Sequence, residues 1–175
     1  MRIHFAASVL TLCAFGGLAA EEPSPRFADA ERAAEQYMTA FFHSDLRTAA
    51  SLTHPETLQQ IKSAFTREWE GAKTSGKEAE FLGKSGIEPS ADLRALDLID
   101  FYVTVVGGSR RSAPDATTAM KATAVAVSGS ELAEAERVAV TLAITTPAAG
   151  ASRTQESKLL LARVDGQWKV LGNAR

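Results

Sequence analysis

Two carboxylates and a phenol, Asp97, Asp100 and Tyr102, stand in the apolar run LDLIDFYVTVV and form the most chemical grouping in the chain. On a strand facing a cavity, Asp100 and Tyr102 point the same way. A desolvated carboxylate beside a phenol can then do acid–base work on a carbonyl substrate. On a helix, Arg94, Asp97 and Asp100 instead form an i, i+3 row, an ordinary solvated salt-bridge face. Leu93, Leu96, Ile99, Val103 and Val106 follow a helical period, whereas Tyr102 to Val106 is largely β-branched and suits a strand. Helix is the favoured reading of 91–107, with Gly107-Gly108 ending it.

Other chemistries find less support. The three histidines are His4, His43 and His54. The last two lie apart, without HExxH or HxH spacing, and Asp45 or Glu56, which would have to complete a metal site, are better explained as helix caps. No metal and no cofactor are expected. No serine has a GxSxG setting and no glycine-rich loop matches a phosphate cradle, which argues against nucleophilic hydrolysis and nucleotide binding. Arg110-Arg111 in a loop could meet an anion or an acidic partner, but two basic residues in a loop are more ordinarily solvated surface. Tyr37, Phe41, Phe65, Trp69 and Trp168 are the candidates for lining an apolar pocket, although aromatics at helical spacing more often make plain core.

The N-terminus bears on where such a site works. MRIHFAASVLTLCAFGGLAA has Arg2, an apolar run from Phe5 to Leu18, and small residues before Glu21. This is the layout of a secretory signal peptide, cut after Ala20 or one residue earlier. The run is shorter than the roughly 20 residues of a membrane-spanning helix. Cys13 sits in an incomplete lipobox, because Leu12 occupies a position that needs a small residue, so lipidation is not expected. Cys13 is the single cysteine, and its loss with the leader leaves neither disulfide nor thiol chemistry. Removing Arg2 takes the formal net charge of −2 to −3, a balance that argues against nucleic acid as a partner. Residues 21–175 suit one domain, with no integral membrane segment after the leader.

Periodicity divides that domain. Ala30, Ala34, Tyr37, Met38 and Phe41 mark one amphipathic helix from Phe27 to His43, entered through Ser24-Pro25, with Glu31, Arg32, Glu35 and Thr39 on its other side. Ser44 and Asp45 can cap a short second helix, 46–52. THPE, at 53–56, reads as a capping box for a third, striped by Leu58, Ile61, Phe65, Trp69 and Ala72 and stopped by Gly71 to Gly76. A polar connection, 77–88, holds one loose turn around Phe81-Leu82. After the turn-like SRRSAPD the period becomes two: strands run through Met120 to Val127 and Arg137 to Ile144, joined by an acidic loop at 129–136. A turn at 147–152 leads to a third strand, 154–164. Asp165-Gly166 then makes a two-residue hairpin in VDGQWKV, setting Arg163 opposite Trp168 and Leu161 opposite Val170. Leu159, Leu161, Trp168 and Val170 share a face, and Arg163 can stack over the Trp168 ring.

Helices first, a four-stranded antiparallel meander after, the pattern A-x-x-Y-M-x-A-F-F-x-S-D-L in the first helix and the terminal V-D-G-x-W-K-V hairpin together resemble the small secreted NTF2-like, cystatin-like superfamily over about 27–172. The resemblance implies an α+β domain whose N-terminal helices pack on a curved sheet and leave a conical cavity. The segment at 91–107 and the connection at 73–90 depart from that plan. The superfamily includes isomerases, dehydratases, ligand binders and accessory domains, so fold alone does not select a function. The favoured expectation is an exported, periplasmic or secreted, non-enzymatic domain that binds a small hydrophobic ligand or an envelope protein. An isomerase- or dehydratase-like enzyme using Asp100 and Tyr102 is the alternative. A homodimer is compatible with either.

Overall fold

The computed structural model describes residues 27–88, 92–134, 136–148 and 151–174. The expected leader and the Ser24-Pro25 entry lie outside these residues.

Alternation in the second half of the chain produces four strands: β1 (Ala124–Glu134), β2 (Arg137–Ala148), β3 (Ala151–Val164) and β4 (Gln167–Asn173). They form one antiparallel sheet in the order β1-β2-β3-β4. Helices precede the sheet, so the class is α+β, as expected. One face of the sheet carries Val138, Val140, Leu142 and Ile144 of β2 with Leu159 and Leu161 of β3 and Val170 of β4, all buried. Helix α1 (Ala28–Phe42) covers that face with Ala30, Ala33, Ala34 and Met38. Its alanines bring the helix backbone close while the sheet supplies the bulk. Leu142 and Leu161 lose all exposure, each worth about 1.5–3 kcal/mol.

The last hairpin follows its turn chemistry. Asp165 and Gly166 take φ values of 51° and 79°, and Arg163 pairs with Trp168 and Leu161 with Val170. The Arg163 guanidinium lies 4.9 Å from the Trp168 ring centroid.

The other turns are tighter than the sequence suggests. Residues 129–134 are paired strand, not an acidic loop, because Glu134 already faces Arg137 across a short hairpin. Pro147 and Ser152, expected in a turn, are paired with each other. Met120 and Lys121 belong to a helix rather than to the first strand. A bulge between Val127 and Gly129 shifts the register of β1, so that Val125 and Val127 pack on the core before it and Ser130, opposite Val140, turns to the same side after it. This corrects the placement of Glu31: it is buried, not solvated, and Ser130 Oγ donates a hydrogen bond to its carboxylate.

Short helix α2 (Leu46–Leu52) forms as expected, with the Asp45 carboxylate accepting the Thr48 N–H at 3.2 Å. THPE caps α3 (Pro55–Thr74) differently from a capping box. His54 is the cap residue, its Nδ1 accepting from the Glu56 N–H at 3.2 Å, while the Thr53 hydroxyl donates back to Ala49 O at 2.9 Å. Thr53 is needed elsewhere: it bridges to Val170, and His54 N–H donates to Val170 O at 2.8 Å. The α2–α3 joint thereby covers the open edge of β4, where unpaired backbone groups would otherwise remain. The connection at 77–88 contains a two-turn helix, α4 (Glu78–Lys84), which buries Leu82.

The segment at 91–107 is helical from Leu98 onward, but the helix does not end where its glycines suggest. Helix α5 (Leu98–Arg111) runs through Gly107-Gly108 instead of stopping there, and SRRSAPD supplies its last turn and the start of α6 (Pro114–Lys121). Here the glycine serves approach, not termination. A Cβ on Gly108 would lie 2.3 Å from Ser85 O, and one on Gly86, whose φ is +63°, would lie 2.1 Å from Gly108 O. Among the described residues, no helix is long and apolar enough to cross a membrane.

Gly108→Ala should therefore destabilise the protein by about 1–3 kcal/mol, since neither backbone can yield easily. Gly71→Ala, in α3 with nothing within 4 Å of its Cβ, should stabilise it by roughly 0.5–1 kcal/mol. Urea unfolding of the two variants checks both signs.

A candidate binding groove at the end of α5

The helical phase of α5 separates the two residues on which an acid–base site was built. Asp100 lies at the surface and pairs with the Arg47 guanidinium at 2.5 Å. Tyr102 is buried with Leu46, Ala50 and Leu58. Nor do Arg94, Asp97 and Asp100 pair as a row. Arg94 bonds Glu70 at 2.7 Å, and Asp97 caps α5 by accepting the Asp100 N–H at 2.7 Å.

The five aromatic candidates are likewise dispersed. Trp168 packs at the sheet core, where Tyr37 also sits. Phe65 and Trp69 join Leu82, Ile87, Leu93 and Phe101 in a separate cluster between α3, α4 and α5. Phe41 belongs to a third cluster around α2 and α5. The Tyr37 and Phe41 rings stack with centroids 6.3 Å apart, but the five do not converge on one pocket. His43 ends α1 and His54 caps α3. Among the described residues, no group of three or more His, Cys, Asp or Glu could hold a metal.

A different arrangement emerges where α1 meets the far end of α5. Since α5 continues past its glycines, Tyr102 and Arg110 stand eight residues apart, two turns along one helix side. Both turn toward α1. The phenols of Tyr102 and Tyr37 lie close enough to act on one another, and Arg110 is close enough to act on the Tyr102 phenol. The Arg110 guanidinium lies 4.4 Å from the Phe41 centroid and donates through Nη1 to Ser44 Oγ at 2.8 Å. Its Nη2 is buried without a hydrogen-bond partner, and burial pulls the Arg110 pKa down, opposed by the nearby Tyr102.

Ser44 is held in an unusual backbone state to serve this contact. The chain leaves α1 with Asp45 N–H on Ala40 O at 2.9 Å and Ser44 N–H on Phe41 O at 3.3 Å, a Schellman turn. The residue at its left-handed position is ordinarily glycine, yet Ser44 has φ 67°, at a cost of roughly 1–2 kcal/mol. Its hydroxyl is the acceptor that orients Arg110.

This cluster forms one wall of a surface groove of about 630 Å³ between the start of α2, the end of α5, and α6. Leu46, Val103 and Gly107 make an apolar floor. Arg47, Arg110, Arg111 and Lys121 ring it with positive charge, opposed by Asp45 alone. Hydrogen bonds from Thr48, first its hydroxyl and then its N–H, hold the Asp45 carboxyl below its ordinary range. The hydroxyls of Thr117 and Thr118 are already donating to backbone carbonyls of Ala113 and Pro114, each at 3.0 Å.

Sequence reasoning named Arg110-Arg111 but set them in a loop. The Tyr102-to-Arg110 spacing was the available signal, hidden once Gly107-Gly108 was read as a helix end. Comparison with protein-family models, curated proteins and solved structures finds no match to this chain.

Both tyrosines of the chain belong to this cluster. Burial raises the pKa of each above the ordinary 10.0, and for Tyr102 the neighbouring Tyr37 adds to the rise. The folded state therefore holds the phenolic protons more tightly than the unfolded state. The stability they contribute is full below the unfolded pKa and falls as pH rises through the folded values. Ultraviolet titration should show almost no phenolate at pH 10 in the native protein, with ionisation coupled to alkaline unfolding. Normal half-ionisation at that pH would contradict the buried pair.

Proposed function

We propose that this chain is an exported, non-enzymatic binding domain that takes a small ligand in the groove between α2, α5 and α6. The observation that carries the reading is the groove itself: an apolar floor and a rim of four cations against one carboxylate, on the scale of small-molecule sites, roughly 300–1,000 Å³. A protein partner needs about 800 Å² of matching surface per side, which a recess of this kind does not offer. Separation of Asp100 from Tyr102 weighs against the enzymatic alternative, because general acid–base catalysis needs both groups within reach of one substrate. Export rests on the leader-like first twenty residues.

A distant NTF2-like or cystatin-like origin belongs to the same proposal. It is supported by helices preceding a four-stranded meander and by the closing tryptophan hairpin. In this chain α1 sits down on the inner face of the sheet, so the binding function passes to the outside of the helical layer.

Gly107 offers a direct test. A Cβ there meets Arg111 Nη1 and Leu46 Cδ1 at 3.5 Å each, ordinary contact distances, so Gly107→Leu can fill the floor without forcing the backbone. Native mass spectrometry of the mature chain, purified without denaturant from its exported compartment, should show a non-covalent adduct in the wild type and a bare mass in Gly107→Leu. Asp100→Asn should keep the adduct. A bare wild type would overturn the reading.

A further inference from the structure

The charge around the groove narrows what it can hold. The whole chain carries a formal net charge of −2, yet four cations face this recess against one carboxylate. Two other surface depressions have a more even balance of charge. The one on the outer sheet face sets Glu131 and Glu134 against Arg137 and Lys158, and the one beside the last hairpin sets Asp29 against Arg163 and Lys169. The groove at the end of α5 is thus more cationic than either of these.

Its four cations are unequally satisfied. Arg47 pairs with Asp100 and Arg111 donates to Gly86 O at 3.1 Å. Arg110 has a single neutral acceptor, the Ser44 hydroxyl, and a buried Nη2 with none. A guanidinium whose counter-charge is missing is matched by a carboxylate or phosphate oxygen, which accepts from its planar fork. Below the cations, Leu46 and Val103 give nothing for a small inorganic ion to bind and much for a hydrocarbon to cover.

Resting on the binding reading above, we infer that the groove is a site for an amphipathic organic anion, with a carboxylate or phosphate head at Arg110 and Lys121 and an apolar body on Leu46, Val103 and Gly107. The head supplies the counter-charge that Arg110 lacks, and the body removes the floor from water. Ser44 keeps the guanidinium aimed while the site is empty.

Isothermal titration of the mature protein with dodecanoate, dodecyl phosphate, dodecanol and inorganic phosphate tests this. Saturable binding of the two amphipathic anions is expected. Arg110→Gln should weaken it at least about tenfold, and raising salt from about 0.05 to about 0.5 M should weaken it further. Since Arg110 also packs on Phe41, the exposed pair Arg47→Gln with Lys121→Gln provides a second variant, expected to weaken binding with the thermal midpoint little changed. Arg163→Gln, outside the groove, should leave affinity unaltered. Equal affinity for dodecanol, equal affinity for inorganic phosphate, or no loss in the double variant would overturn the inference. If neither anion binds while a Gly107-sensitive adduct is present in the native protein, the inference fails and the binding reading stands.

Discussion

A helix faced with alanine can approach a β-sheet more closely than one faced with leucine, and the rest of this structure depends on that approach. Ala30, Ala33 and Ala34 let α1 settle onto the aliphatic face of β2, β3 and β4. Side chains of the sheet then occupy the space that a more distant helix would leave open. Trp168 and Tyr37 pack at the margin of this layer. The cost of the arrangement is modest, since alanine loses no side-chain rotamer freedom on burial. Its consequence is topological: α1 becomes a middle layer, with the sheet on one side and α2 and α5 on the other.

What α1 presents to that second side decides the character of the protein's far end. Phe41 packs in the cluster around α2 and α5, and Tyr37, which stacks on it from the margin of the sheet core, reaches Tyr102 of α5. For them to meet Tyr102 and Arg110, α5 must stay helical past its two glycines and be held at a fixed depth. The backbone contact between Gly108 and the Ser85–Gly86 turn supplies that constraint. Glycine inside a helix forgoes roughly 0.5–1 kcal/mol relative to alanine. That loss is offset by a close crossing which anchors α5 to the helical core of Trp69, Leu82 and Phe101. The position of Arg110 is thus inherited from two packing contacts, one at each end of the molecule's helical layer.

Those contacts explain which parts of the structure could be read from the residues. Strong periodicity and local turn chemistry were sufficient for α1, for the course of α3, and for the last hairpin, where Asp165-Gly166 set both the turn and the Arg163–Trp168 pairing. The Thr53–Glu56 cap was read with the right place and the wrong atoms, because Thr53 is drawn away to the edge of β4, more than a hundred residues distant. The burial of Glu31 required knowing that a bulge turns Ser130 inward, a feature of strand pairing and not of composition. Gly107-Gly108 misled because glycine ends helices and also permits close crossings. Only the tertiary partner, Gly86, distinguishes the two uses. The dispersal of the five aromatics has the same origin: their spacing identifies them as inward-facing but does not say into which of three clusters each one faces.

The chemistry of the groups around the groove also bears on binding against catalysis. A general acid or base must exchange a proton near working pH, with a pKa close to it. Burial raises Tyr102 and Tyr37 away from neutrality, and hydrogen bonds from Thr48 lower Asp45 away from it in the other direction. Burial pulls the Arg110 guanidinium down, a shift that the neighbouring Tyr102 opposes. The threonine hydroxyls are committed to backbone acceptors. The groove therefore presents charge, dipoles and apolar surface, with the neighbouring phenols and the Asp45 carboxyl shifted away from neutrality. Such a set can attract, orient and desolvate an anion, which is what recognition requires. Groups shifted away from neutrality are poorly matched to proton transfer, and this, rather than the absence of any one motif, supports the proposed binding reading.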